Sequence, residues 1–231
     1  MSEPSAQKSP ITLHWLEKSR SHRILWLLEE LQIPYDLKTY KRDSKTFLAD
    51  PALTKVHPLG KSPVIEDNGK VIAESGLIVE YLIDKYGPFL QPDSDDNKLK
   101  VKYFLHYAEG SLQPVVFLLY LSQRVRSAPM PFFIRPIARL LMDGQDKAYA
   151  GPDAQKQLEF LENELKTTGT GFFVGDQLSG ADIILLFPLE LAQVRAGLVK
   201  DKYPLLIDWL NRMHDREAFK RATSKVEISK L

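Results

Sequence analysis

Pro63-Val64-Ile65-Glu66-Asp67-Asn68-Gly69-Lys70-Val71-Ile72-Ala73 reads as two short strands around a two-residue turn. Asn-Gly between runs rich in β-branched residues is a strong hairpin signal. Upstream, Ile11-Thr12-Leu13-His14-Trp15-Leu16 is another β-like run, closed by Ser, Arg and His. Ile24, Leu25, Leu27, Leu28 and Leu31 then recur at helical spacing, and Pro34 must stop that helix. Tyr35 to Lys41 alternates weakly as a second strand. A polar stretch follows, reaching His57-Pro58-Leu59-Gly60. Downstream of the hairpin, Glu74 to Tyr86 predicts a helix closed by Gly87-Pro88.

The order β-α-β, hairpin, α describes a small sheet with helices packed on it, over residues 11–90. Residues 91–96 form a polar linker, and beyond it strand signals nearly vanish. Asn97 to Ala128, Pro131 to Ala150, Asp153 to Thr167, Gly180 to Gly197 and Pro204 to Lys220 all favour helices. The expected organisation is a tail at 1–10, an α/β domain, an all-α domain at 97–222 and a tail at 223–231. Pro114 should kink its helix.

The 231 residues are 44% hydrophobic and 26% charged, the composition of a soluble globular chain with a sizeable core. Lys plus Arg number 31 against 30 Asp plus Glu, so no general charge draws a nucleic acid or an anionic membrane. The longest apolar run, Val115 to Leu121, is far too short to span a bilayer. Cysteine is absent, which excludes disulfides, cysteine-ligated metals and any protein thiol as nucleophile. Sulfur chemistry requires a thiol carried by a ligand. His14, His22, His57, His106 and His214 show no ligand spacing, so no metal is expected. Met1 to Pro10 lacks the apolar core of a secretory signal. Ser229-Lys230-Leu231 has the form of a peroxisomal address read by an import receptor. A peroxisomal location is therefore expected, with the cytoplasm as the alternative.

Four strings in this order resemble the glutathione transferase family. They are Ser19-Arg20-Ser21-His22-Arg23, His57 to Ile65, Ala73-Glu74-Ser75-Gly76-Leu77-Ile78, and Phe172 to Asp182. Leu13-His14-Trp15-Leu16, then Ser19 to Arg23 and Tyr40-Lys41-Arg42-Asp43, resemble the GTT branch of fungi and bacteria. The resemblance implies a thioredoxin-like N-terminal domain with an all-helical C-terminal domain, and a homodimer. It also implies glutathione as co-substrate and a small electrophile as second substrate, with reduction of organic hydroperoxides as a further activity. A non-catalytic glutathione-binding module on the same fold is the alternative.

Such an enzyme must lower the pKa of a thiol that titrates near ~8.5 when free. By resemblance Ser19 is the catalytic donor, four residues before Arg23, with Ser21 as the alternative; a plain N-cap also suits a serine there. Pro63 is expected to be cis, with the backbone of Ser62 binding the ligand's cysteine. Ser75 suits the γ-glutamyl carboxylate and Glu74 its ammonium. Lys61 and Lys41 are candidates for the glycine carboxylate, with Arg42 and Lys45 beside Lys41. Tyr103, Tyr107, Phe117 and Tyr120 are candidates for an aromatic wall against an apolar electrophile, or for ordinary core. Ser179 and Asp182 have capping-box spacing, a role in folding.

Overall fold

The computed structural model describes residues 11–226. The N-terminal tail and Ser229-Lys230-Leu231 lie outside the described residues. Contacts divide the chain into two compact units, one running to Pro88 and resuming at Arg216, the other Phe89–Asp215.

The first unit runs β1 (Ile11–Leu16), α1 (Ser21–Leu31), β2 (Tyr35–Tyr40), a 3₁₀ turn (Pro51–Lys55), β3 (Val64–Asp67), β4 (Lys70–Ala73) and α2 (Ser75–Tyr86). The sheet order is β2-β1-β3-β4, with β1 parallel to β2 and antiparallel to β3. All of β1 is buried, as a strand covered on both faces must be. Asn68 and Gly69 both adopt positive φ, +49° and +84°, which a two-residue type I′ hairpin demands. The hairpin is tied to α2 through the buried carboxylate of Asp67. It accepts hydrogen bonds from Tyr81 Oη (2.7 Å), Tyr86 Oη (2.8 Å) and Lys85 Nζ (2.7 Å). Burial raises the Asp67 carboxyl, yet these three donors outweigh it and hold the group below its ordinary value.

The expected Pro204 to Lys220 helix is two helices. Arg216 is extended at ψ 135°, separating α8 (Pro204–Asp215) from α9 (Glu217–Ser224). The domain reading of 97–222 differs from the structure here, because α9 packs against α1 in the first unit. Phe219 of α9 meets Trp26 and His22 of α1 edge-on, at 5.9 and 5.2 Å. Arg216 donates twice to Glu30, at 2.5 and 2.9 Å. Arg221 and Lys225 bind Glu29 at 3.0 and 2.5 Å, and Tyr35 donates to the same carboxylate. Sequence periodicity does not reveal this, since the partners lie nearly two hundred residues apart.

The helical unit contains α3 (Asp95–Tyr107), α4 (Gln113–Ser127), α5 (Arg135–Gln145), α6 (Gly151–Thr168), α7 (Gly180–Arg195) and α8. A π-helical turn at Ala108–Leu112 joins α3 to α4 just ahead of Pro114. Proline lacks an N–H and crowds the carbonyl four residues back, so a widened turn meets the expectation of an irregularity. At the start of α7, Ser179 and Asp182 form the capping box. Asp182 is fully buried, and its carboxylate accepts from Ser179 N (3.0 Å), Ser179 Oγ (3.0 Å), Phe173 N (3.2 Å) and Trp209 Nε1 (3.0 Å). Burial pushes its carboxyl up. These bonds tie α7 to α8 and to the Phe173 loop, which is a structural role.

Asp67→Ala should lower stability by about 2–4 kcal/mol, because three donors lose a buried acceptor. The native Asp67 carboxyl titrates below its unfolded value of about 3.9. Its stabilisation is therefore complete above that value and fades as pH falls through the native one. Denaturant titrations at pH 7 and below about pH 4 should show the variant's deficit shrinking only in the strongly acidic sample.

Candidate functional site

Strand register brings the sequence candidates to one end of the sheet. His14 of β1 pairs with Val64 of β3, and Val64 pairs with Ala73 of β4. Leu16, the last residue of β1, pairs with Tyr40, the last of β2. Four segments therefore leave the sheet at the same end: the loop after β1 with Ser19, Lys41 after β2, Ser62-Pro63 before β3, and Glu74-Ser75 after β4. With neighbouring strands about 4.8 Å apart, β1 to β4 spans roughly 10 Å, the length of three extended residues.

Ser19 is not the first helical residue. It lies in a turn after Lys18, whose φ is +49°, and α1 starts at Ser21 behind an Arg20 that makes no side-chain cap. The expectation that Ser19 sits at the helix start is corrected by two residues. Ser19 is partly exposed, whereas Ser21 is fully buried. Ser19 Oγ lies 2.7 Å from the Leu16 carbonyl and 2.6 Å from Ser21 Oγ, and it accepts from the Ser21 amide at 3.2 Å. Arg42 braces this turn from β2's side. Its guanidinium donates to the carbonyls of Glu17 (3.1 Å), Lys18 (3.3 Å) and Phe47 (3.1 Å). Arg42, read as one of several loop cations, thus serves the backbone. Lys41 and Lys45 are exposed.

The Ser62–Pro63 bond is cis, and Ser62 Oγ donates to the His14 carbonyl at 2.7 Å. The serine side chain thus anchors the start of β3 to β1. Lys61 beside it is exposed. Glu74 adopts φ +71° and ψ 122°, an uncommon conformation for a residue with a side chain. Its carboxylate is exposed and meets no partner among the described residues. Ser75 is buried and opens α2, so the helix's first amides point to this end of the sheet.

Periodicity gives no hint of His14. It is buried, and it bridges Tyr40 Oη of β2 (2.8 Å) and Glu66 of β3 (2.6 Å). Burial outweighs Glu66 and holds the imidazole below its ordinary pKa. The aromatic candidates divide. Tyr103 and Tyr107 stack at 5.6 Å beside Phe104 and Phe160; Tyr107 and Phe104 are buried core, whereas Tyr103 is exposed. Phe117 and Tyr120 pair at 5.7 Å, with Phe117 substantially exposed. Among the described residues no group of three His, Asp or Glu could hold a metal, and no helix is long and apolar enough to cross a membrane.

The models of the glutathione S-transferase N-terminal and C-terminal domains match residues 9–84 and 115–217. This chain belongs to the glutathione S-transferase family. Glutathione S-transferase 1 of Saccharomyces cerevisiae is 36% identical over 223 residues, covering 93% of this chain and 94% of the relative. Glutathione S-transferase 3 of Schizosaccharomyces pombe is 37% identical over 225 residues, covering 96% and 90%. A solved glutathione S-transferase from Actinobacillus pleuropneumoniae superimposes with a TM-score of 0.74 at 30% identity, over 95% of this chain and 94% of that one. The thioredoxin-like unit and the helical unit are thus those of this family, a glutathione transferase with glutathione as its substrate.

Proposed function

We propose that this glutathione transferase activates the glutathione thiol with the Ser19 hydroxyl and adds the thiolate to small electrophiles. The observation that carries the reading is the convergence of Ser19, Ser62-Pro63, Glu74-Ser75 and Lys41 at one end of the sheet. Exposure favours Ser19 over Ser21, because a fully buried hydroxyl does not reach a ligand. The Ser62 backbone pairs with the ligand's cysteine. Ser75 and the first amides of α2 take the γ-glutamyl carboxylate, where the helix dipole favours an anion. Glu74, which has no partner among the described residues, takes the ammonium as a charge-assisted pair. Lys61 and Lys41 take the glycine carboxylate.

Organic hydroperoxides are a second substrate class in this reading. The thiolate attacks the peroxide oxygen, breaking the O–O bond to give an alcohol and glutathione sulfenic acid; a second glutathione thiol then attacks the sulfenic sulfur, forming oxidised glutathione and releasing the hydroxyl as water. No step needs a protein thiol, and this chain has none.

A homodimer is supported by α5. None of its residues is buried, and Phe133, Ile134, Ile137, Leu140 and Leu141 form an exposed apolar stripe continued by Phe132. Scattered exposed apolar residues are ordinary, but a stripe along a helix marks an interface. Import into peroxisomes through Ser229-Lys230-Leu231 is also part of the proposal, supported by the terminal tripeptide itself.

Ser19→Ala should raise the pKa of bound glutathione by about two units, from near 6.5 toward 8.5. At pH 7 the thiolate fraction then falls from about three quarters to about 3%, roughly 25-fold, and kcat/KM should follow for both electrophile and hydroperoxide. Ultraviolet thiolate titration and steady-state kinetics measure both; an unchanged pKa removes Ser19 from the chemistry. Leu140→Glu with Leu141→Glu should convert dimer to monomer in light scattering at micromolar concentration, and an unchanged mass would exclude this stripe as the interface. A fluorescent protein fused at the N-terminus should be punctate with peroxisomes and diffuse once the final three residues are deleted. Diffuse signal from the intact fusion would exclude import.

A further inference from the structure

The turn after β1 contains a second hydroxyl with a defined place in the same chemistry. Leu16 lies beyond the last β1–β3 pair, His14 with Val64, and is almost wholly buried. Its amide and carbonyl on that side are met by the two serines. The Leu16 amide donates to Ser21 Oγ at 3.1 Å. The Leu16 carbonyl lies within hydrogen-bonding distance of both hydroxyls, 2.7 Å from Ser19 Oγ and 3.0 Å from Ser21 Oγ. The two hydroxyl oxygens are 2.6 Å apart.

Each serine carries one hydroxyl proton, so two protons serve three contacts. Before the ligand arrives there is one contact more than there are protons, and the arrangement is satisfied in more than one way. Resting on the assignment of Ser19 as thiol donor, we propose that Ser21 is a positioning residue that takes over the Leu16 carbonyl when Ser19 turns its proton to the glutathione thiolate. No bond to carbon or sulfur changes in this step; one hydroxyl rotates off the carbonyl and the other rotates onto it.

Every group is then paired. Ser19 donates to sulfur and accepts from the Ser21 amide. Ser21 donates to the Leu16 carbonyl and accepts from the Leu16 amide. Without the Ser21 hydroxyl, Ser19 must choose between the thiolate and a carbonyl that water does not readily reach. A buried carbonyl left without a donor is costly, and that cost weakens thiolate binding. Ser21 is thereby a partner of Ser19 and not its rival. Its full burial, which removes it as a direct donor, suits this role.

The experiment is an ultraviolet titration of the thiolate of bound glutathione in wild type, Ser19→Ala, Ser21→Ala and the double variant. Ser21→Ala should raise the bound pKa by about 0.5–1 unit, a roughly three- to tenfold loss of thiolate in the range where the group titrates. The double variant should titrate with Ser19→Ala, because Ser21 acts only through Ser19. Loss of the Leu16 amide's acceptor will lower the thermal midpoint, so stability alone does not decide. If Ser21→Ala does not fold, Ser21→Cys retains the volume with a weaker donor and should raise the pKa by a smaller amount. A wild-type pKa in the Ser21 variants, with the Ser19→Ala shift intact, overturns the handover and leaves the transferase reading standing. A Ser21 effect that persists undiminished in the Ser19→Ala background also overturns it, by making Ser21 a direct donor. An unshifted pKa in Ser19→Ala overturns the underlying assignment together with this inference.

Discussion

Strand β1 keeps a hydrogen-bonded neighbour on its β3 side only as far as His14. Leu16 then carries an amide and a carbonyl in a buried place, and unmet backbone groups there would be costly. The chain answers with a turn that folds Ser19 and Ser21 back onto Leu16. Beside the same gap in the ladder, the Ser62 hydroxyl is held to the His14 carbonyl at the start of β3. In the proposed reading, placing the thiol donor and satisfying the backbone are one problem at this end of the sheet. Hydroxyls solve it because each can both accept from an amide and donate to a carbonyl or an anion.

Around that point the structure invests in bracing. Arg42 holds three carbonyls of the neighbouring loops, and His14 joins β2 to β3 across β1. Helix α1, which follows the serine turn, is gripped along its length by α9. Glu29 and Glu30 meet Arg216, Arg221 and Lys225, while Phe219 packs on Trp26 and His22. Glu29 would be raised by burial, but its hydrogen bonds hold it below the ordinary value, so the grip is complete at neutral pH and weakens in acid. A positioned hydroxyl is useful only if the helix behind it does not drift, and the last helix of the chain supplies that restraint.

The helical unit shows the same economy with one buried carboxylate. Asp182 looks like a catalytic acid by burial alone, yet its four donors belong to a cap, a loop and a tryptophan. The proposed functional carboxylate, Glu74, is the opposite case: exposed, without a partner among the described residues, and held in an uncommon backbone conformation. A site for a charged ligand leaves acceptors open, whereas a folding motif closes them.

Local chemistry was legible from the chain alone. Asn68-Gly69 requires positive φ and so a hairpin, Pro34 and Gly87-Pro88 end helices, Ser179 and Asp182 have the spacing of a capping box, and the absence of cysteine excludes a protein thiol. Ser19, Ser62-Pro63 and Glu74-Ser75 could be singled out because each belongs to a short string. The roles of Ser21, Arg42 and His14, and the allegiance of α9, could not. Each depends on partners that strand register or helix packing brings together, from Leu16 beside Ser21 to Glu29 beside Arg221. Periodicity records which face of an element is apolar, but a hydrogen bond depends on a distance of a few tenths of an ångström between atoms that only the assembled sheet and helices place.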